Sequence, residues 1–233
     1  MAITFGGASL SCELFSAVLS GTPEDVRWAL ARGADPAAAG SQALCLATER
    51  GCHECVEILI PGSNPLVDNC LPLRQAAERG HASCVRELLP VSNASGAWAA
   101  LFLASGAGHA ECVKLLLGAC DPLRESSAAL LWAAANGHAE CVKLLLPVSD
   151  PLANAGQAFA KAASNGHADV IIAMLEHGAD YARCCDLAGE IRKATLFGRP
   201  RVAGAILAHV ESLALVGALP AEFSGAPSPA PRL

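Results

Sequence analysis

A chain of 233 residues, 53% of them hydrophobic and with a net charge of −6, has room for one large domain or two small ones. Its 16 lysines and arginines form no cluster, which excludes a surface built to track nucleic-acid phosphates or an anionic membrane. The 11 cysteines are odd in number, and four of them recur at one repeated position, so they read as reduced thiols of a cytoplasmic compartment rather than as a disulfide framework.

Residues 1–9 are read as an N-terminal extension; the first fifteen residues, MAITFGGASLSCELF, contain neither a basic n-region nor a continuous apolar h-region. From residue 10 to 213 the chain repeats itself. Gly21, Gly51, Gly80, Gly108, Gly137, Gly166 and Gly198 are spaced 30, 29, 28, 29, 29 and 32 residues apart. The decamer GHAECVKLLL stands at Gly108–Leu117 and again at Gly137–Leu146, with relatives at Gly80 (GHASCVRELL) and Gly51 (GCHECVEILI). Fainter versions begin at Gly21, Gly166 and Gly198. Seven units follow from this spacing: 10–36, 37–65, 66–94, 95–122, 123–151, 152–181 and 182–213.

Within a unit, Leu130, Ala133 and Ala134 recur at i, i+3, i+4, one face of a helix, and Val142, Leu145 and Leu146 repeat that pattern after the glycine. Pro147 is expected to end the second helix. Each unit is thus helix, tight glycine turn, helix, short loop, and each helix pair must stack on its neighbours to cover its apolar surface. The predicted fold is an all-α solenoid.

The ends depart as caps do. Thr22-Pro23-Glu24-Asp25 reads as a helix start with a hydroxyl cap, and Asp25 stands where inner units place cysteine. Arg199-Pro200-Arg201 replaces the glycine–histidine chemistry in a degenerate last unit. Residues 214–233 alternate proline with alanine, serine and glycine and read as a flexible tail. The uncharged window between Glu87 and Glu111 contains Pro90, Asn93, three glycines and His109, which argues against a membrane span.

His81/Cys84, His109/Cys112 and His138/Cys141 sit at i, i+3, where a helix start can lower a thiol pKa or where metal ligands can gather. The reading preferred here is that the histidine closes the turn and the cysteine packs as a small apolar residue, since Val170 takes the same position in the sixth unit. Cys52-x-x-Cys55 and Cys184-Cys185 are likewise assigned to structure, so no catalytic residue, metal or cofactor is expected.

The pattern resembles the ankyrin repeat, usually about 33 residues with a T-P-L-H-x-A-A-x-x-G-H-x-E-x-V-x-x-L-L core. Trp132–His138 carry the x-A-A-x-x-G-H part, and Gly33-Ala34-Asp35 and Gly178-Ala179-Asp180 carry its G-A-D ending. The T-P-L-H positions read Ala128-Ala129-Leu130-Leu131, so the hydrogen-bonding Thr and His of that turn are missing. The intervals around Asp150 are also shorter than the family's. Blunt inter-repeat loops with little or no β-structure are therefore expected.

What the resemblance implies is a non-enzymatic scaffold binding a protein partner on a concave helix–loop face. The family's face positions, carried over one at a time, are Glu49, Arg50, Glu78, Arg79, Gly106, Ala107, Ala135, Asn136, Ser164 and Asn165 just before the turn glycines. Trp98 and Ser127 precede the T-P-L-H equivalents, with Ser41, Cys70 and Gly156 at the same place. Trp28 and Trp132 are expected in the core. A monomer is expected. The alternative is a host-directed adaptor or effector module of a virus or host-associated bacterium, with a metal or redox protein using the His/Cys ladder as a distant third.

Overall fold

A computed structural model describes residues 6–120, 124–178, 181 and 186–215. Cys184-Cys185, Asp180 and residues 216–233 of the expected tail lie outside the described residues. Among those described there are fourteen α-helices and no strand. In chain order they are α1 (Gly6–Ser20), α2 (Pro23–Ala31), α3 (Ala38–Arg50), α4 (His53–Leu59), α5 (Val67–Glu78), α6 (Ala82–Leu88) and α7 (Ala94–Ala107). They continue as α8 (Ala110–Leu116), α9 (Arg124–Asn136), α10 (Ala139–Leu145), α11 (Ala153–Asn165), α12 (Ala168–Glu176), α13 (Leu187–Leu196) and α14 (Pro200–Leu215). The odd-numbered helices pack on one another in one row and the even-numbered helices in a second. The expected solenoid of seven helix pairs is what the chain forms, without β-fingers among the described residues.

The core lies between the rows and repeats with the sequence. Seven residues before the turn glycine, Leu14, Leu44, Leu73, Leu101, Leu130 and Phe159 are all buried. Five residues after it come Val26, Val56, Val85, Val113, Val142 and Ile171, and three further on Leu59, Leu88, Leu116, Leu145 and Met174, all buried. Each large side chain fills a gap left by alanines such as Ala47, Ala76, Ala104, Ala133 and Ala162, whose small size lets neighbouring helices approach closely. Pro90 and Pro147 each stand second in a 3-10 turn, Leu89–Val91 and Leu146–Val148, that closes the second helix.

Units are tied by histidines reaching backwards. The Nε2 of His81, His109, His138 and His167 lies 3.1, 2.9, 3.0 and 3.0 Å from the carbonyl oxygens of Glu49, Glu78, Gly106 and Ala135, each in the preceding unit. A carbonyl only accepts, so each ring carries a proton on Nε2. The imidazole lies over the preceding turn glycine. A Cβ on Gly108 would sit 2.5 Å from His138 Nδ1, and one on Gly51 would sit 2.6 Å from His81 Nδ1. These glycines are needed twice, for a left-handed φ (85° at Gly108) and for room. The histidine does more than close its own turn, as the sequence suggested; it locks two units together. At the start of the ladder Cys52 takes the histidine's place, its Sγ donating to Gly21 O at 3.8 Å. At the end Arg199 does, donating to Ala163 O at 3.2 Å over Gly166.

Where the family carries a β-finger, this chain makes a left-handed turn. Ala39, Gly40 and Ser41 all have positive φ, as do Asp68, Asn69 and Cys70. The right-handed part of α5 therefore begins after Cys70, which puts Pro72 in its first turn, where no amide hydrogen is missed. Ser41 Oγ accepts from Asn64 N (2.7 Å) and Ser127 Oγ from Asp150 N (2.9 Å), tying each such turn to the loop of its own unit's second helix. The fourth unit differs: Asn93 caps α7 by accepting from Gly96 N at 2.7 Å, and the helix starts straight. The hydroxyl cap expected of Thr22 is not made; its Oγ1 donates to the Asp25 carboxylate instead.

Gly108→Ala and Gly33→Ala separate the two demands on a turn glycine. Gly33 has φ +92° and open space around it, so the substitution there costs about 1–2 kcal/mol from backbone strain alone. Gly108→Ala costs about 1–3 kcal/mol more because the methyl group displaces His138. Urea denaturation of both variants reads the difference.

Candidate protein-binding face

The His/Cys pairs do not come together as a reaction centre. Each imidazole is spent on a neighbouring carbonyl, and Cys55, Cys84, Cys112 and Cys141 are fully buried. Burial, reinforced by nearby thiols and carboxylates, pushes the thiols of Cys84, Cys112 and Cys141 up to about 11 and that of Cys55 up to about 12. This is the reverse of thiolate activation and fits the packing role read from Val170. Among the described residues no three His, Cys, Asp or Glu side chains are grouped to hold a metal ion.

The face positions before the turn glycines line up along the ends of the odd-numbered helices, and several are joined across units. Arg79 donates to the Glu49 carboxylate at 2.5 Å, Asn136 Nδ2 to Gly106 O at 2.6 Å and Asn165 Nδ2 to Ala135 O at 2.7 Å. In each case the residue just before one glycine reaches the residue second before the previous glycine. Arg50, Glu78, Arg79, Asn136, Ser164 and Asn165 are exposed; Glu49 and Ala135 are half-buried. Arg50 and Glu78 make no side-chain bond, and Ser164 Oγ donates to Lys161 O in its own helix. A groove of about 210 Å³ between α11 and α13 takes in Gln157, Lys161, Ser164 and Lys193.

Ser127, expected on the binding face, lies in the interior instead. It is 2% exposed and its hydroxyl is used by Asp150 N, so it holds a turn and offers nothing to a partner. Ser41, Cys70 and Gly156 are buried too, because the left-handed turns point these positions inward. Trp98 escapes this only because the fourth unit lacks such a turn; it is half-buried and lies inside α7.

Trp98 stacks on Phe102 (5.8 Å between centroids), and Phe102 meets Trp132 edge-on (5.6 Å). Trp132, expected in the core, is 48% exposed. Trp28, also expected inside, is 57% exposed, with the Arg32 guanidinium 4.5 Å over its ring. The alanines beside Trp132 fill the buried stripe, which turns the tryptophan outward. Phe102 went unremarked in the sequence, although it stands four residues after Trp98 and so shares its helix face.

The sequence model of the family described as ankyrin repeats (3 copies) matches over residues 14–97, 63–126 and 101–185. Together these spans exceed half the chain. The chain belongs to the ankyrin repeat family. Its fold is similar to that of the human ASB11 ankyrin repeat domain, known from a crystal structure, with a TM-score of 0.67 and 22% identity over 84% of this chain and 96% of that one. Among curated proteins none matches. Ankyrin repeats are generally protein–protein interaction modules and typically non-enzymatic scaffolds. No helix among the described residues is long and apolar enough to cross a membrane.

The buried thiols set a pH dependence. Their folded pKa is raised above the ordinary value of 9.0, so the stability they contribute is complete below about pH 9 and is lost as pH rises towards 11. Unfolding free energy measured across that window falls less steeply in a variant with valine at positions 84, 112 and 141, the residue that unit six carries naturally.

Proposed function

We propose that this ankyrin array is a binding scaffold that takes a protein partner on the face of the odd-numbered helices from α3 to α11, as a monomer in a reducing, cytoplasmic compartment. One observation carries the reading: the Trp98–Phe102–Trp132 cluster joins α7 and α9 on one face and leaves Trp132 half in solvent. Large aromatic side chains held on rigid helices are the usual anchors of protein interfaces. The charged residues Arg50, Glu78 and Arg79 border the cluster on one side and Asn136, Ser164 and Asn165 on the other.

The mechanism is preorganisation. Cross-unit bonds fix the helix ends before a partner arrives, so association costs little ordering on this side. The cysteines support the reducing compartment, since the nine among the described residues are all thiols.

Trp98→Ala with Trp132→Ala, compared with Trp28→Ala as an exposed control away from this face, tests the proposal. With helicity unchanged by circular dichroism, the double variant loses at least about tenfold in affinity for proteins retained by the wild-type chain. Trp28→Ala retains them. Equal retention by all three sinks the assignment of this face.

A further inference from the structure

The rungs between units are interrupted next to the aromatic cluster. Arg79, Asn136 and Asn165 each reach back to the position that Glu49, Gly106 and Ala135 occupy in the unit before. The same step from the fourth unit to the third pairs Ala107 with Glu78, and alanine has nothing to donate. Glu78 is therefore left exposed with no side-chain partner, whereas its counterpart Glu49 holds Arg79.

The surroundings of this gap are specific. Gly106, level with Glu78 one helix along, has no side chain, and the place its Cβ would take lies 3.9 Å from Trp132 Cβ and 3.8 Å from Asn136 Nδ2. One turn back on the same face of α7 stands Phe102, in edge contact with Trp132. An open floor thus runs between a carboxylate on α5 and aromatic rings on α7 and α9. Neighbouring helices lie about 8–10 Å apart, a span that one long side chain crosses.

From this geometry we infer that the partner of this face is a peptide segment presenting an arginine, whose guanidinium lies across Gly106 between the Glu78 carboxylate and the rings of Phe102 and Trp132. The inference rests on the face assigned above. A planar guanidinium forks onto a carboxylate and stacks on aromatic rings at once, which the more heavily hydrated ammonium of lysine does less well. The chain's net charge of −6 favours encounter with a basic segment.

The test uses a phage-displayed library of random peptides panned against the full chain, with enriched peptides then synthesised and titrated calorimetrically. The expected result is that enriched peptides share an arginine, and that its replacement by glutamine weakens binding about tenfold or more. Glu78→Gln weakens it similarly. Ala107→Arg supplies the missing donor from within the chain, keeps or raises the thermal midpoint and also abolishes the arginine preference. Peptides that bind through this face without a basic residue, or that bind Glu78→Gln and Ala107→Arg as tightly as the wild type, overturn the inference while leaving the face intact. Peptides that bind the Trp98→Ala, Trp132→Ala chain undiminished, or a failure to enrich any peptide, overturn the face and the inference with it.

Discussion

At the four junctions from the second unit to the sixth an imidazole occupies the space that a side chain on the preceding turn glycine would need, and its Nε2 proton goes to a carbonyl near the end of the preceding unit's first helix. That carbonyl is one of the last four in its helix, which have no amide to accept from within it. The contact therefore satisfies a polar group left over by helix geometry, fixes the distance between units and holds the first-helix ends in register. Phe102 and Trp132 meet across α7 and α9, the two helices that His138 ties together over Gly108.

The same register explains why some surface residues serve the scaffold and others do not. A polar side chain just before the turn glycine is within reach of the unit behind it. Arg79, Asn136 and Asn165 use that reach. Ala107 cannot, and Arg50, whose counterpart one unit back is Leu19, does not; Glu78 and Arg50 are left without a side-chain bond among the described residues. The variable positions of the repeats are thus of two kinds, and only pairing each with its neighbour one unit back distinguishes them.

Much of this was legible in the amino-acid sequence. The 29-residue spacing, the i, i+3, i+4 patterns and the cysteine-for-valine exchange at position 170 led to seven helix pairs with buried thiols. The missing Thr and His of the T-P-L-H turn pointed to the loss of the β-fingers. What stayed hidden depends on backbone handedness and on contacts between units. Nothing in Ala39-Gly40-Ser41 or Asp68-Asn69-Cys70 announces three successive left-handed residues, and that turn is what buries Ser41, Cys70 and Ser127. The family position of Trp132 points inward, but the phase set by the buried Ala133 and Ala134 turns it outward. The backward reach of each histidine could not be read from a single unit, since its partner lies about 30 residues earlier.

Gly108–Leu117 and Gly137–Leu146 have the same ten residues, and every rung involves only two adjacent units. Excising the 29 residues from His109 to Gly137 would rejoin the chain at an unchanged sequence, with His138 standing where His109 stood over Gly80. Such a chain would keep Trp98 and Phe102 and lose Trp132. Unequal crossing-over at the matching stretches would thus change what the surface displays, with α7 brought against α11 and Gly106 taking the place that Ala135 holds beside Asn165 and His167. Copy number, as much as point substitution, is a route by which this array's surface changes.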